Sequence, residues 1–305
     1  MAFELDDKLV VAISSRALFA LDTADAVFRT EGVGAYRAHQ RANENSVLAA
    51  GTAMPPVKAL LRINEAVGRP LVEVIVVSQN DADTGQRVMQ SAAALGLPIT
   101  RAAFTAGEPA APYVGALAAD LFLSADPVAV REAVEAGIAA AQVLEPPDGT
   151  PTDESGPVRI AFDGDAVLFD AASEQIYQAG GLEAFTRHEV ENAHVPMSPG
   201  PFEPFLRALA KVQAATGDDR SLIRTSLVTA RNAPAHTRVV NTLRAWNVRI
   251  DETFFLGGIE KARVLNVLKP HIFFDDQRTH LDPARATTPS AHVPTAREKW
   301  DSTRP

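Results

Sequence analysis

The sequence predicts an α/β protein built around a parallel β-sheet. Six short apolar runs, rich in β-branched or aromatic residues, are each followed by a helical pattern of apolar residues. Continuous apolar strands that alternate with amphipathic helices are typical of a parallel sheet with helices on both faces. An internal repeat and a Pro- and Gly-rich segment near the middle of the chain add to this. Together these observations predict two α/β units of similar build.

The apolar runs place the predicted strands, and the amphipathic patterns between them place the helices. The predicted strands are Leu9–Ile13, Val72–Val77, Asp120–Leu123, Val158–Phe162, Ser226–Val228 and His271–Phe274. The predicted helices are Pro56–Ala66, Ala82–Leu95, Pro127–Gln142, Gly200–Ala214 and Ala233–Trp246.

The segment Glu145–Gly156, with the sequence EPPDGTPTDESG, predicts a linker between the two units. It is rich in Pro, Gly and polar residues and has no apolar side chain to bury. We therefore expect a first unit at residues 1–144, a linker at 145–156 and a second unit at 157–286. Residues 287–305 predict a loose tail.

The two halves of the chain resemble each other, and the longest match has no gaps. A shift of 151 positions places LVEVIVVSQNDADTGQRV, from Leu71, on LIRTSLVTARNAPAHTRV, from Leu222. A shift of 149 places VAISSRALF near IAFDGDAVLF. Two unrelated α/β units could resemble each other because both need apolar strands and Ala-rich helices. The ungapped register favours an ancient duplication of one unit instead.

The composition argues against several classes of partner and site. The 305 residues include 29 Lys and Arg against 38 Asp and Glu, a net charge of −9, which argues against nucleic acid and anionic membranes. The absence of cysteine removes disulfides, thiolate zinc sites and cysteine nucleophiles, and favours a reducing compartment. No apolar run is long enough to span a bilayer, and no signal-peptide pattern is present. We expect a soluble cytoplasmic protein.

Acidic and hydroxyl side chains follow three strands of the second half. Asp163 and Asp165 follow the first strand of that half, Thr229 follows SLV, and Asp275 and Asp276 follow IFF. In an open parallel sheet, ligands bind at the edge formed by the carboxyl ends of the strands. Four carboxylates at one edge repel each other unless a cation lies between them, and oxygen ligands select Mg²⁺. Because a substrate phosphate commonly completes a Mg²⁺ site, we expect phosphoryl chemistry.

The spacing of Asp163 and Asp165 lets both side chains reach one cleft. One can act as a nucleophile while the other protonates an alkoxide leaving group. Thr229, Lys261 and the metal are the candidates to surround a phosphate dianion. The alternatives are a solvated Asp-Gly turn, a helix N-cap at Thr229 and a solvated lysine on a helix.

The order of DGDAVLF, Thr229, Lys261 in FFLGGIEK, and FFDDQ resembles that of the haloacid dehalogenase-like phosphohydrolases. Longer segments, among them SQNDADTGQRV, LFLSADP, RIAFDGDAVLF, LVTARNAP and TLRAWNVRIDETFFLGG, are similar to the cytosolic 5′-nucleotidase I family over about residues 8–282. This resemblance implies two Rossmann-like, haloacid dehalogenase-like parallel-sheet lobes, the first a degenerate copy of the second. It also implies Mg²⁺-dependent hydrolysis of nucleoside 5′-monophosphates, with AMP favoured.

By position, the resemblance implies a role for each of these residues. Asp163 would be the nucleophile that forms an aspartyl-phosphate, and Asp165 would be the acid and then the base. Thr229 would hold the phosphate and Lys261 would neutralise it, although Lys269 lies nearby in a stretch that departs from the family pattern. The implied metal ligands are Asp163, Asp165 through its backbone carbonyl, Asp275 and Asp276. Which of the last two binds directly stays open.

Polar residues at the strand ends of both halves are the candidates for substrate binding. Thr229 is followed by Ala230, Arg231 and Asn232, which contact phosphate or ribose or form an exposed loop. The first-half candidates are Ser14, Arg16, Ser78, Asn80, Asp81, Thr84, Arg101, Thr105 and Gly107. Because the first half lacks the carboxylates, we hypothesise that it faces the catalytic edge as a lid that binds the nucleoside. Ordinary loop polarity is the alternative.

The sequence therefore predicts a two-lobed 5′-nucleotidase that uses Mg²⁺. A phosphatase for another small phosphomonoester such as a sugar phosphate, a phosphotransferase and a non-catalytic nucleotide-binding protein stay open as alternatives. The resemblance also implies activation by ADP or ATP and a homo-oligomer, without placing an effector site or an interface. The base preference stays open as well.

Overall fold

The structure is a computed structural model that describes residues 4–145, 156–217 and 222–295. The first half contains β1 (Leu9–Ile13), α1 (Ser15–Leu18), β2 (Phe19–Ala20), α2 (Asp22–Ala42), β3 (Ala49–Ala50), α3 (Met54–Val67), β4 (Val72–Ser78), α4 (Ala82–Ala94), β5 (Arg101–Phe104), α5 (Ala111–Ala116), β6 (Leu121–Ser124), α6 (Pro127–Glu135) and β7 (Ala140–Val143). The second contains β8 (Val158–Phe162), α7 (Ala172–Glu191), α8 (Glu203–Ala215), β9 (Ile223–Thr229), α9 (His236–Ala245), β10 (Glu252–Phe255), α10 (Lys261–Leu268), β11 (Ile272–Asp275), α11 (Arg278–Ala284) and β12 (Ser290–His292).

Ten of these strands form one continuous sheet in the order β10-β9-β8-β11-β12-β7-β6-β1-β4-β5, and β2 pairs with β3 apart from it. In the ten-stranded sheet, all pairing within each half is parallel. The halves meet at β7 and β12, which pair antiparallel. The predicted α/β class with a mostly parallel sheet is confirmed. The two halves share this single sheet.

The internal repeat of the sequence is visible in the topology. The strand order of the first half, β5-β4-β1-β6-β7, matches the order β10-β9-β8-β11-β12 of the second half. The shift of 149 places β1 on β8, and the shift of 151 places β4 on β9 and β6 on β11 with identical bounds. Helices α2 and α7 are both kinked at a glycine with positive φ, Gly32 and Gly181. The two halves therefore share one strand order.

Aromatic packing under the second half fixes the strands that carry the acids. Phe162 ends β8 and Phe274 lies in β11, and their rings stack with centroids 5.6 Å apart. Phe202 and Phe205, at the start of α8, pack against both rings at centroid distances between 4.8 and 6.5 Å. All four side chains are fully buried, and buried aromatic side chains dominate core energetics. This packing fixes the backbone at the next residue of each strand, Asp163 after Phe162 and Asp275 after Phe274.

Two predicted boundaries are wrong. The helix predicted over Pro127–Gln142 ends at Glu135, Gly137 takes φ 81° after it, and β7 then begins at Ala140. A glycine in the left-handed region is a common helix terminator, and a run of small residues fits a helix or a buried strand equally well.

The predicted start of a tail at residue 287 is also wrong. Ser290–His292 form β12, a buried strand between β11 and β7. Residues 146–155 of the predicted linker and 296–305 of the predicted tail lie outside the described residues. Across the parts of the chain that are described, no helix combines the length and the apolar character needed to cross a bilayer.

Candidate active site

Two buried aspartates meet at the carboxyl edge of the second half of the sheet. Asp163 directly follows β8 and Asp275 is the last residue of β11, the strand beside β8. The Asp163 backbone N–H donates to the Phe274 carbonyl oxygen at 2.8 Å, which continues the ladder to the acids. Asp163 is 4% exposed and Asp275 is fully buried. Neighbouring parallel strands that end together thus place both carboxylates at one point of the edge.

Lys261 joins these two carboxylates. It is the first residue of α10, and its Nζ lies 2.7 Å from Asp163 Oδ1 and 2.7 Å from Asp275 Oδ2. The whole residue is 3% exposed. Lys269, the other candidate from the sequence, is exposed at the opposite end of α10. The structure therefore places Lys261, and not Lys269, in the cluster.

Burial and charge act in opposite directions on the cluster. Burial raises the pKa of Asp163 to about 7, and the attraction of Lys261 offsets only part of this rise. Burial also acts to raise the pKa of Asp275, but hydrogen bonding from His280 and the charge of Lys261 hold it below its usual value. Burial lowers the pKa of Lys261, but the two carboxylates outweigh burial and raise it. The ammonium is therefore held charged between the two acids.

The cluster offers oxygen ligands that fit a divalent cation. Asp276 Oδ1 is buried without a hydrogen-bond partner, and burial, followed by the charges of Asp163 and Asp275, raises the pKa of this carboxyl to about 8. Asp163, Asp275 and His280 each present one possible ligand atom, all within 4.8 Å of one another. Carboxylate oxygens are the ligands that Mg²⁺ prefers, and the unpartnered Asp276 oxygen is available as one of them.

His280 is a site residue that the sequence analysis missed. Its Nδ1 lies 3.2 Å from both carboxylate oxygens of Asp275. It belongs to α11, five residues after the acid it contacts. The seven histidines of the chain show no metal-binding spacing, and a single histidine on a helix predicts nothing by itself. Only the turn of the chain from β11 into α11 brings the two side chains together.

Asp165 lies beside the cluster and is held by Arg231. Both Asp165 oxygens accept from the guanidinium, from Nε at 2.8 Å and from Nη2 at 2.6 Å. Burial would lower the pKa of Arg231, but the hydrogen bonds and charges of Asp165 and Glu189 outweigh it and raise the pKa. The sequence analysis offered two alternatives for Arg231, a contact with phosphate or ribose and an exposed loop. The structure buries it against Asp165 instead.

Glu189 completes this group and was also missed by the sequence analysis. It is fully buried in α7, and it accepts from Arg231 Nη1, from Arg238 Nη1 at 3.0 Å and from Ser173 Oγ at 2.8 Å. In the sequence it stands in FTRHEVENAH, which has the pattern of a solvated helix face. A signal was available in the internal repeat, because the shift of 149 pairs Glu189 with Gln40, the amide of the same shape.

Thr229 lies at the end of β9, next to the acids. It is 1% exposed, and its Oγ1 accepts from the Arg231 backbone N–H at 3.2 Å. A Cβ atom added to Gly164 would lie 3.4 Å from this Oγ1, so the hydroxyl faces the Asp163–Asp165 turn closely. Ala230 and Asn232, the other substrate candidates of this loop, are exposed.

All but one of the first-half candidates lie at the other edge of the sheet. Because β7 and β12 are antiparallel, the carboxyl ends of the first-half strands point opposite to those of the second half. Ser14, Arg16, Ser78, Asn80, Asp81, Thr84, Thr105 and Gly107 lie at or follow the carboxyl ends of first-half strands and so lie away from Asp163 and Asp275, whereas Arg101 begins β5 at its amino end. Within one chain this placement argues against the lid hypothesis for the residues at the carboxyl ends. The repeat predicts the strand order inside each half. The relation between the halves depends on β7 and β12, which the sequence did not reveal.

This α/β fold with an Asp–Lys–Asp cluster at a strand edge defines a protein equipped for phosphoryl chemistry. The family model described as 5′-nucleotidase matches residues 1–299. The chain belongs to the 5′-nucleotidase family.

Two individual proteins can be set beside the chain. It is 35% identical to the human protein "Cytosolic 5'-nucleotidase 1B" over an alignment of 288 residues that covers 91% of this chain and 47% of that protein. The chain thus spans about half the length of this curated relative. The crystal structure of histidinol dehydrogenase from Elizabethkingia anophelis aligns with 93% of this chain and 52% of that chain, at 10% identity and a TM-score of 0.23. That score is too low to indicate a common fold.

Proposed function

We propose that this protein is a Mg²⁺-dependent 5′-nucleotidase that hydrolyses nucleoside 5′-monophosphates, with AMP favoured, to nucleoside and phosphate. The buried Asp163–Lys261–Asp275 cluster carries the proposal, because no packing need explains two carboxylates and an ammonium enclosed at a sheet edge. The unpartnered Asp276 oxygen supports a divalent cation. Membership of the 5′-nucleotidase family supports the nucleotide as the substrate.

The reaction proceeds in two steps on the side chains of the second half. In the first step a carboxylate oxygen of Asp163 attacks the phosphorus, the bond from phosphorus to the 5′-oxygen breaks, and Asp165 gives that oxygen a proton. In the second step water attacks the phosphorus of the aspartyl-phosphate, Asp165 takes a proton from this water, and phosphate leaves. Both steps return the two aspartates to their starting states.

Positive charge and hydrogen-bond donors must surround the transferring group, because a phosphate dianion and a carboxylate nucleophile repel each other. Lys261 is already placed at Asp163, and the Thr229 hydroxyl faces the same turn. Asp163, Asp275, Asp276 and the Asp165 carbonyl would hold a Mg²⁺ ion, which would supply the remaining positive charge. The enclosed site strengthens each of these interactions compared with water.

The first half, in this proposal, is a degenerate copy of a haloacid dehalogenase-like unit. The repeat places Ser14 at the position of Asp163, Ser78 at that of Thr229 and Ser124 at that of Asp275. These replacements leave it without a nucleophile or metal ligands, so catalysis belongs to the second half. The nucleoside site, activation by ADP or ATP, assembly into a homo-oligomer and a cytoplasmic location stay predictions.

Phosphate release from AMP, with Mg²⁺ and with EDTA, tests the proposal. We expect turnover only with Mg²⁺, and loss of turnover in Asp163→Asn with an unchanged circular-dichroism spectrum. Asp126→Asn is the matched control, because Asp126 follows β6 at the opposite edge of the sheet and should keep wild-type activity. Retained turnover in Asp163→Asn would refute the assignment. Ribose 5-phosphate hydrolysed as fast as AMP would favour the sugar-phosphate alternative.

A further inference from the structure

A buried chain of charges leads away from Asp165. Arg231 binds both oxygens of Asp165 through one edge of its guanidinium and Glu189 through Nη1. The Arg231 side chain is 2% exposed and that of Glu189 is fully buried. With Arg238, the group consists of two acids and two arginines. If Arg231 turned towards a substrate, Glu189 would lose one of its two cationic partners in the interior, which is costly.

The first half of the chain provides a natural comparison for this group. The repeat pairs Asp165 with Arg16, Arg231 with Asn80, Glu189 with Gln40 and Arg238 with Arg87. Gln40 is 1% exposed and accepts from Arg87 Nη1 at 3.1 Å, as Glu189 accepts from Arg238. Asn80 Oδ1 accepts instead from the Tyr36 hydroxyl at 3.0 Å.

This comparison distinguishes contacts that the fold requires from contacts that occur only beside the catalytic residues. The outer contact, from an arginine on the helix to a buried Glu or Gln, is present in both halves, so it belongs to the fold. The inner arginine and the negative charge on Glu189 occur only in the half that carries Asp163 and Asp275. A unit of the same topology forms without them. Arg231 and the charge of Glu189 therefore serve the catalytic half specifically.

We propose that Arg231 is the positioning residue for Asp165 and that Glu189 holds Arg231 in place, an inference that rests on the proposed function. Asp165 acts in both steps and must stay at one position while it gives and then takes a proton. A bidentate arginine fixes the plane of a carboxylate as well as its distance. Neither Arg231 nor Glu189 contacts the phosphate.

Steady-state kinetics with AMP and Mg²⁺ tests this proposal. For Arg231→Met we expect kcat to fall about 100-fold, because a misplaced acid–base group costs that much. KM and the inhibition constant of inorganic phosphate should stay near wild type, since Arg231 does not contact the phosphate. Arg238→Met is the matched control, because it removes the same charge from Glu189 without touching Asp165. Its kcat should stay within about threefold of wild type.

Glu189→Gln reproduces the residue that the first half carries at this position. It keeps the buried shape and removes only the negative charge that anchors Arg231, so kcat should fall by less than in Arg231→Met. Arg231→Lys keeps the positive charge and loses the bidentate geometry, and it replaces Arg231→Met if that variant does not fold. It too should lower kcat at constant KM.

A double-mutant cycle decides whether Arg231 acts through Asp165. In an Asp165→Asn background, Arg231→Met should cause no further loss of kcat, because the group that it positions is already disabled. A full additional loss, or a raised KM with unchanged kcat, would overturn the inference and give Arg231 a structural or phosphate-binding role. Wild-type kcat in Arg231→Met would overturn this inference and leave the proposed function intact. A wild-type enzyme without AMP hydrolysis would overturn the proposed function as well.

Discussion

Replacing Lys261 by Met should destabilise the protein because it leaves two buried carboxylates without their shared cation. The Lys261 ammonium lies 2.7 Å from an oxygen of Asp163 and 2.7 Å from an oxygen of Asp275. Methionine has nearly the same volume, so the substitution removes charge and little packing. Breaking a buried ion pair by removing one partner costs about 3–5 kcal/mol.

This cost converts into a measurable shift of the melting temperature. At about 2.1 cal/mol/K per residue, unfolding 305 residues has an entropy of about 0.6 kcal/mol/K, so a loss of 3–5 kcal/mol lowers Tm by about 5–8 °C. The shift should be larger at pH 8 than at pH 5, because protonated carboxyls need no cation.

Thermal unfolding followed by circular dichroism in EDTA measures this shift. Lys269→Met is the matched control, because Lys269 is exposed at the other end of the same helix, α10, and should change Tm by no more than about 1 °C. AMP hydrolysis with Mg²⁺ should fall at least about 100-fold in Lys261→Met and stay unchanged in Lys269→Met. Equal Tm values for Lys261→Met and wild type would refute the reasoning that the lysine neutralises the cluster.

Two further predictions concern pH and the packing of the fold. The pKa of Asp163 is raised to about 7 and that of Asp276 to about 8. In the folded metal-free protein both carboxyls therefore keep their protons at pH values where the unfolded chain has lost them. The free energy of unfolding in EDTA should therefore fall as the pH rises from about 4 to about 8, and Mg²⁺ should reduce the fall; a rising Tm over this interval contradicts the prediction. Gly200→Ala should lower the free energy of unfolding, measured with denaturant, by at least about 2 kcal/mol, because the added Cβ would lie 2.4 Å from the Phe169 carbonyl oxygen. Gly34→Ala is the control: its Cβ meets no atom within 4 Å, so the substitution should be neutral or stabilising.

The strands were predictable where burial on both faces makes them continuously apolar. The bounds of β1 and β8 agree with the sequence prediction at both ends, because all or nearly all of their residues are buried and polar residues follow. β7 was missed because its small residues continue the pattern of α6. β5 and β10 were missed because their half-exposed residues give no apolar run.

The sequence predicted the site residues that follow strands and also Lys261 at the start of α10, but it missed two residues that reach the site from other helices. Asp163, Asp275 and Thr229 occupy strand ends, so the sheet itself dictates that they share an edge. Glu189 and His280 reach their partners from helices α7 and α11, and the packing of a helix cannot be derived from its own sequence. The sequence also did not reveal which edge of the sheet the first-half candidates share. One antiparallel strand pair, β7 with β12, determines how the halves are joined and therefore that edge.

A crystal structure with Mg²⁺ and beryllium fluoride, a mimic of a phosphoryl group, tests the central claim most directly. The account predicts a beryllium fluoride group bonded to a carboxylate oxygen of Asp163, a cation that contacts Asp163 and at least one of Asp275 and Asp276, and Asp165 still bound to Arg231. Beryllium fluoride bound elsewhere, with the Asp163 carboxylate unmodified and no cation at the acids, would contradict the account.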